Sequence, residues 1–220
     1  MTNSLNYYFW ATYRRKELDE LQEKYESLYR GVILDIGGRD RGRFKKPRDK
    51  VKKWIFADIE KKHNPDLVLD VTNMKKIKSQ SIDVVNAMEL FEHVEKIDKG
   101  LDECYRVLKK GGKLMISVPF LYPIHADPYD FQRWTETKWR KELTKRDLEI
   151  ENFEIMGRFF TVHCGMIKEL IESLPKIFKY LLRMIYPLLD LLVRLDDKKI
   201  IKENKIMNKY HGGYFIVAKK

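Results

Sequence analysis

The stretch from Gly31 to Gly42, GVILDIGGRDRG, constrains the fold more than any other part of this 220-residue chain. Val32, Ile33 and Leu34 are β-branched or bulky with no polar residue between them, which fits a strand covered on both faces. The run ends at Asp35, and Gly37 and Gly38 follow. Lacking a Cβ, these glycines let the backbone turn sharply and bring its N–H groups against a ligand. Gly37 and Gly42 would open and close a G-x-G-x-x-G dinucleotide spacing, but Arg39 stands at the middle position. The turn therefore points away from a nicotinamide dinucleotide and toward a ligand whose cationic group can face Asp35.

Further segments follow at the spacing of alternating strands and helices. KWIFA, Lys53 to Ala57, reads as a second strand. Asp58, with Ile59 after it, then stands where a ribose-binding carboxylate is expected. DLVLD, Asp66 to Asp70, reads as a short third strand leading into Val71, and SIDVVNAM, Ser81 to Met88, as a fourth that runs into ELFEHV. In LDECYRVLKKGGKLMISVPF a helix carries Leu101, Cys104, Tyr105 and Leu108 on one face. It is expected to stop at Gly111-Gly112 and hand over to a fifth strand.

In this order and spacing the segments resemble the class I S-adenosylmethionine-dependent methyltransferases, in the small-molecule, methyltransferase type 11-like branch, over about residues 30 to 165. Asp35 and Gly37 match the opening of the family's D-x-G-x-G-x-G turn, while Arg39 replaces its second glycine. The resemblance implies an α/β architecture: a Rossmann-like, seven-stranded, mostly parallel sheet with helices on both faces, and a last strand, near Tyr214 to Lys219, inserted antiparallel. It implies S-adenosylmethionine as cofactor and S-adenosylhomocysteine as product. Asp35, Gly37, Gly38, Asp58, Ile59, Asp70, Val71, Met88, Glu89 and His93 would surround the cofactor, Asp58 at the ribose and Asp70 and Val71 at the adenine.

The chemistry is expected in VPFLYPIHADPYDFQRWT, residues 118 to 135, which gathers aromatics, a histidine, acids and an arginine behind the fifth strand. Prolines 119, 123 and 128 stiffen it. His125 is the candidate general base, with Asp127 or Asp130 orienting its ring, and Arg133 is a candidate grip for a phosphate or carboxylate. Tyr122, Asp130 and Trp134 are candidate acceptor-binding residues; the bland alternative is a loop that caps the sheet. The pattern P-F-x-Y-P-x-H-x-D-P-x-D-x-x-R-x-T resembles a subgroup associated with polysaccharide and glycolipid assembly, which implies a small-molecule, sugar or glycolipid acceptor and O-methylation. No metal is expected, because His63, His93, His125, His163 and His211 lack paired ligand spacing.

The chain reads as one domain: an N-terminal helical segment (1–30) whose charged half is a surface helix, a cofactor-binding core (31–165), a helical insertion (166–200) and a final strand segment (201–220). Two cysteines far apart suggest reduced thiols, and the N-terminus lacks a secretory pattern, so a cytoplasmic location is expected. The net charge of +11 favours an acidic partner and keeps open an RNA methyltransferase reading, although no aromatic-interleaved basic groove is evident. Arg39 keeps open a catalytically silent scaffold on the same fold. In MIKELIESLPKIFKYLLRMIYPLLDLLVRL the charges Lys176, Lys179, Arg183, Asp190 and Arg194 are spaced to line one narrow face of a helix. That pattern fits packing on the domain, a homodimer, or membrane contact through residues 176–195, and its interior charges disfavour a transmembrane span.

Overall fold

A computed structural model describes residues 4–38, 42–125 and 129–220. Two helices, α1 (Ser4–Trp10) and α2 (Tyr13–Lys24), precede the strand β1 (Gly31–Ile36). Then come β2 (Val51–Asp58), β3 (Leu67–Val68), β4 (Ile82–Met88), the helix α3 (Ile97–Val107) and β5 (Leu108–Pro119). The second half holds α4 (Glu136–Thr144), β6 (Glu149–Met156), α5 (Phe159–Ser173), α6 (Lys176–Leu182), α7 (Tyr186–Val193), α8 (Lys199–Lys202) and β7 (Gly213–Lys219). The strands form one seven-stranded sheet in the order β3-β2-β1-β4-β5-β7-β6. Pairing is parallel from β3 through β5, and β7 runs antiparallel between β5 and β6, as the resemblance implies.

Strand periodicity divides the core into two layers. Leu34, Ile36, Val85, Ala87, Leu114, Ile116, Ile216 and Ala218 face one side, against Leu101, Cys104 and Val107 of α3 and Trp139 and Leu143 of α4. Ile33, Val84, Met88, Met115, Phe215 and Val217 face the other, against Leu18 and Leu21 of α2. Asp35 and Asn86, between these residues on β1 and β4, share the α2 side. There the Asn86 amide donates to the Asp35 carboxylate at 2.6 Å.

Three expectations need correction. The helix read through Leu108 ends at Val107, and Gly111 and Gly112 lie inside β5. There the register jumps from Ile82↔Leu108 to Val84↔Lys113, and Gly111 takes φ +78° with no neighbour near its Cβ position, so the pair forms a bulge. The N-terminal segment is no surface helix: Tyr13, Leu18, Asp19, Leu21 and Gln22 of α2 are buried. The charged stripe of residues 176–194 does not run along one helix. A 3-10 turn at Arg183–Ile185 breaks it into α6 and α7, and Leu174-Pro175 separates both from α5. Several of its charges turn inward: Arg183 and Lys179 meet Glu172 of α5, and Asp190 accepts hydrogen bonds from Tyr8 and Tyr13. Among the described residues no helix is long and apolar enough to cross a membrane.

Candidate active site

At the carboxyl ends of β1, β2 and β4 lies a cavity of about 800 Å³. This is where the strand order reverses around β1 and β4, the position at which open α/β sheets bind ligands. Asp35, Gly37, Gly38, Asp58, Ile59, Asp70, Val71, Met88, Glu89 and His93, all ten residues expected around a cofactor, line it together with Tyr122 and His125.

The glycine turn is built for close approach. Gly37 has φ +70°, and its N–H donates to Ala57 O at 2.8 Å, tying the turn to β2. A Cβ on Gly38 would lie 2.0 Å from the Asp35 carboxylate, so only glycine fits there. Asp35 is 1% exposed and accepts from Trp54 Nε1 at 2.9 Å as well as from Asn86. Burial pushes its carboxyl above the usual range, against the opposing pull of Lys46. The cation facing it here is Lys46 Nζ, 3.3 Å away, so Asp35 anchors the turn and the loop beyond it. Arg39, the departure from the family pattern, lies outside the described residues, as does Asp127.

Asp58 closes β2 with its carboxylate buried. One oxygen accepts the Glu60 N–H at 2.8 Å and the other meets His63 Nδ1 at 2.9 Å. A carboxylate has about four acceptor sites, so each oxygen keeps a lone pair for a ligand hydroxyl. Asp70 turns one oxygen to Thr72, taking both its N–H and its hydroxyl at 2.8 Å.

The far wall comes from residues that sequence reasoning missed. Trp10, Arg14, Arg15, Asp19 and Gln22 of the N-terminal helices line the cavity. Arg14 forms an ion pair with Glu89 and lies over the Tyr122 ring, 4.5 Å from its centroid. Glu89 sits at φ +54°, just past the end of β4, and also takes a hydrogen bond from Ser117. Burial alone would raise its carboxyl, but the Arg14 guanidinium outweighs this and holds it far down. Asp19 accepts from Tyr7 and from the Arg43 N–H at 2.8 Å, clamping α2 to the loop that follows the glycine turn. Spacing offers one trace of this: Arg14, Leu18 and Leu21 share one helix face.

The loop after β5 is only partly at the cavity. Tyr122, His125, Tyr129 and Phe131 line it, whereas Asp130, Arg133 and Trp134 do not. Arg133 is held by both Asp130 oxygens, one at 2.6 Å, and is not free to grip a ligand. Arg133 keeps the Asp130 carboxyl down at about 2, and Asp130 also accepts the His125 N–H at 2.9 Å. Trp134 packs against Trp139 and donates to the Gln132 side chain at 2.7 Å. These three residues brace the loop. The Asp130 carboxylate stands 3.5 Å from His125 Nδ1, while Pro123 O is nearer at 3.1 Å. The described structure thus orients His125 mainly through a backbone carbonyl. The fold also brings His125 beside His93, with ring centroids 5.2 Å apart, which their sequence spacing conceals.

Residues 48–116 match the family model for a methyltransferase domain, about a third of the chain. A comparison with curated proteins found no match. Among solved structures, a SAM-dependent methyltransferase from Archaeoglobus fulgidus is similar, with TM-score 0.57 and 16% identity, covering 94% of each chain. Phosphoethanolamine N-methyltransferase 2 of Haemonchus contortus, solved with S-adenosyl-L-methionine, has TM-score 0.54 and 18% identity over 93% of this chain and 52% of that one. The [4+2]-cyclase SpnF has TM-score 0.59 and 16% identity over 92% of this chain and 79% of that one. Sheet order and the antiparallel β7 give the chain the Rossmann-like methyltransferase fold, and within it residues 48–116 match a methyltransferase domain. A cyclase on the same fold is a reminder that the site, not the sheet, decides the reaction.

Proposed function

We propose that the protein transfers a methyl group from S-adenosylmethionine to a hydroxyl of a small-molecule, sugar or glycolipid acceptor. The observation that carries this reading is the convergence of all ten expected cofactor positions on one cavity at the strand-order reversal. The residues present suit that cofactor. The cavity falls within the ordinary size of a small-ligand site, about 300–1,000 Å³, its glycine turn admits no side chain, and Asp58 keeps acceptor sites open.

When bound, S-adenosylmethionine supplies an electrophilic methyl group on a sulfonium. Asp58 binds the ribose hydroxyls, Gly37 and Gly38 present backbone close by, and Asp70 and Val71 flank the adenine. Met88, Glu89 and His93 border the end of the cavity nearest the β5 loop. On that side His125, which lines the cavity, accepts a proton from the acceptor hydroxyl at Nε2, a contribution of about 10²- to 10⁴-fold. Arg14, Tyr122 and Trp10 wall the cavity and limit water. Holding the acceptor in line supplies the larger part of the acceleration.

The lipid-linked form of the acceptor is favoured by one surface. Ile177, Phe178, Leu181, Met184, Leu188 and Leu191 are all exposed, with Lys176, Lys198 and Lys199 exposed nearby in the chain. An apolar face with basic neighbours suits an anionic membrane surface. Cosedimentation with anionic and neutral vesicles tests this, and equal absence from both pellets refutes it. The catalytic reading is tested by methyl transfer to nucleotide sugars, lipid-linked glycans and RNA. His125→Ala is expected to leave S-adenosylhomocysteine affinity unchanged and to slow turnover at least a hundredfold. Transfer to RNA alone would replace the acceptor assignment, and cofactor binding without transfer to any acceptor class would favour the scaffold.

A further inference from the structure

Glu92 is an anomaly. Its side chain is about 1% exposed, yet neither carboxylate oxygen has a hydrogen-bond partner among the described residues. Burying an unpaired ionised carboxylate costs several kcal/mol, so buried acids are normally paired, protonated or bound to metal. Neither nearby arginine hydrogen-bonds to it: Arg14 pairs with Glu89 and Arg133 with Asp130, and Arg14 Nε and Nη1 and Arg133 Nε have no partner among the described residues.

Two imidazoles face Glu92 instead. His93 Nε2 and His125 Nε2 each lie 3.9 Å from Glu92 Oε1, too far for a hydrogen bond. Each ring uses its other nitrogen on a backbone carbonyl: His93 Nδ1 on Tyr129 O at 2.5 Å, and His125 Nδ1 on Pro123 O at 3.1 Å. A carbonyl can only accept, so each neutral ring carries its proton on Nδ1 and presents a lone pair at Nε2. A backbone carbonyl behind the ring, fixing tautomer and orientation, is the support metal-ligating histidines have. Two lone pairs and a buried, unpartnered carboxyl group thus converge.

We propose that Glu92, His93 and His125 form a binding site for a divalent first-row transition-metal ion such as Mn²⁺, Fe²⁺ or Zn²⁺. The donor set, two imidazoles and a carboxylate, is the one such ions take when positions are left open for other ligands. The three ligand atoms lie within 4.8 Å of one another. Around a common ion at about 2.1 Å they would stand about 3 to 3.4 Å apart, so closing the site takes side-chain shifts of under about 1 Å. His93 and His125 line the cavity, so an ion held by them would border it. The ligand class suited to them is an acceptor bearing a hydroxyl or carboxylate oxygen. That role, though not the site itself, rests on the methyl-transfer reading. With an ion bound, His125 Nε2 serves as its ligand rather than as the base, and the ion lowers the pKa of the coordinated hydroxyl, whose proton leaves to solvent.

The test uses the full chain without a histidine tag, stripped with chelator and titrated with Mn²⁺ while free ion is followed by electron paramagnetic resonance, then with Zn²⁺ by calorimetry. One ion per chain is expected, with affinity falling at least tenfold in His93→Ala, His125→Ala and the near-isosteric Glu92→Gln, but not in His163→Ala, whose ring stacks on Phe159 away from the site. S-adenosylhomocysteine titration of the same samples reports whether each variant keeps its fold and cofactor site. Substoichiometric binding, or affinity within threefold of the parent in variants that still bind S-adenosylhomocysteine, overturns the site. Ion binding without S-adenosylhomocysteine binding leaves the site standing and removes the methyl-transfer reading instead.

Discussion

Replacing Asp58 by alanine isolates the part of the site that should hold the ribose. In the structure one Asp58 oxygen is met by the Glu60 N–H and the other by His63, which leaves each oxygen of this cavity-lining residue one further acceptor site. A diol spanning these sites makes two hydrogen bonds to a charged acceptor, each contributing about 1.5–3 kcal/mol. Water entering the vacated space recovers part of this, so the net loss expected is about 2–4 kcal/mol, or about 30- to 700-fold in Kd. Calorimetric titration of Asp58→Ala with S-adenosylhomocysteine measures it directly. Asp58→Asn, with one acceptor oxygen in place of two, should fall between. The variant also deprives His63 and the Glu60 N–H of a partner, so its melting temperature must be followed in parallel. An Asp58→Ala affinity within threefold of the parent, in a protein that still melts cooperatively, would refute the assignment.

Other substitutions probe the surrounding frame. Gly38→Ala places a methyl 2.0 Å from the Asp35 carboxylate and should displace it from Asn86 and Trp54; thermal melts should show a loss of about 2–4 kcal/mol together with weaker cofactor binding. Arg14→Ala leaves Glu89 buried beside the cavity without its cation, a loss of roughly 3 kcal/mol or more and about 6–12 °C in Tm, whereas the double variant Arg14→Ala, Glu89→Gln should recover much of it. Burial, with Asp197 and Glu20 near, raises the Glu17 carboxyl to about 7 from an ordinary 4.5, so between these values the unfolded chain ionises while the folded chain stays protonated. The fold then loses stability as pH rises through that window. Denaturant titrations should show Glu17→Gln equal to the parent near pH 4 and more stable by about 1–3 kcal/mol at pH 8.

The strands and the wall of the cavity at the strand-order reversal were legible because their signals are local. Ile33 and Leu34 fall on opposite core layers, Asp58 closes its strand, and Gly37-Gly38 mark a turn that no side chain could occupy. What escaped depends on contacts between distant segments. Leu108 continues the apolar face of α3, which extends the helical pattern past Val107; pairing with Ile82 and the Lys109–Asp83 ion pair take that residue into β5 instead. Arg14 and Asp19 look like solvated charges until Glu89 closes on one and Tyr7 on the other. Arg133 carries the right group for gripping an anion, but Asp130, three residues earlier, takes both arms of its guanidinium. His93 and His125 follow β4 and β5, which are sheet neighbours, so the sheet joins two histidines that the sequence keeps apart.

The central claim is that the cavity at the ends of β1, β2 and β4 binds S-adenosylmethionine. Calorimetric titration of the unmodified chain with S-adenosylmethionine, S-adenosylhomocysteine and NADH tests it most directly. The account predicts one site of micromolar affinity for the first two and no heat of binding for NADH. Silence with all three, or binding of NADH alone, would contradict it.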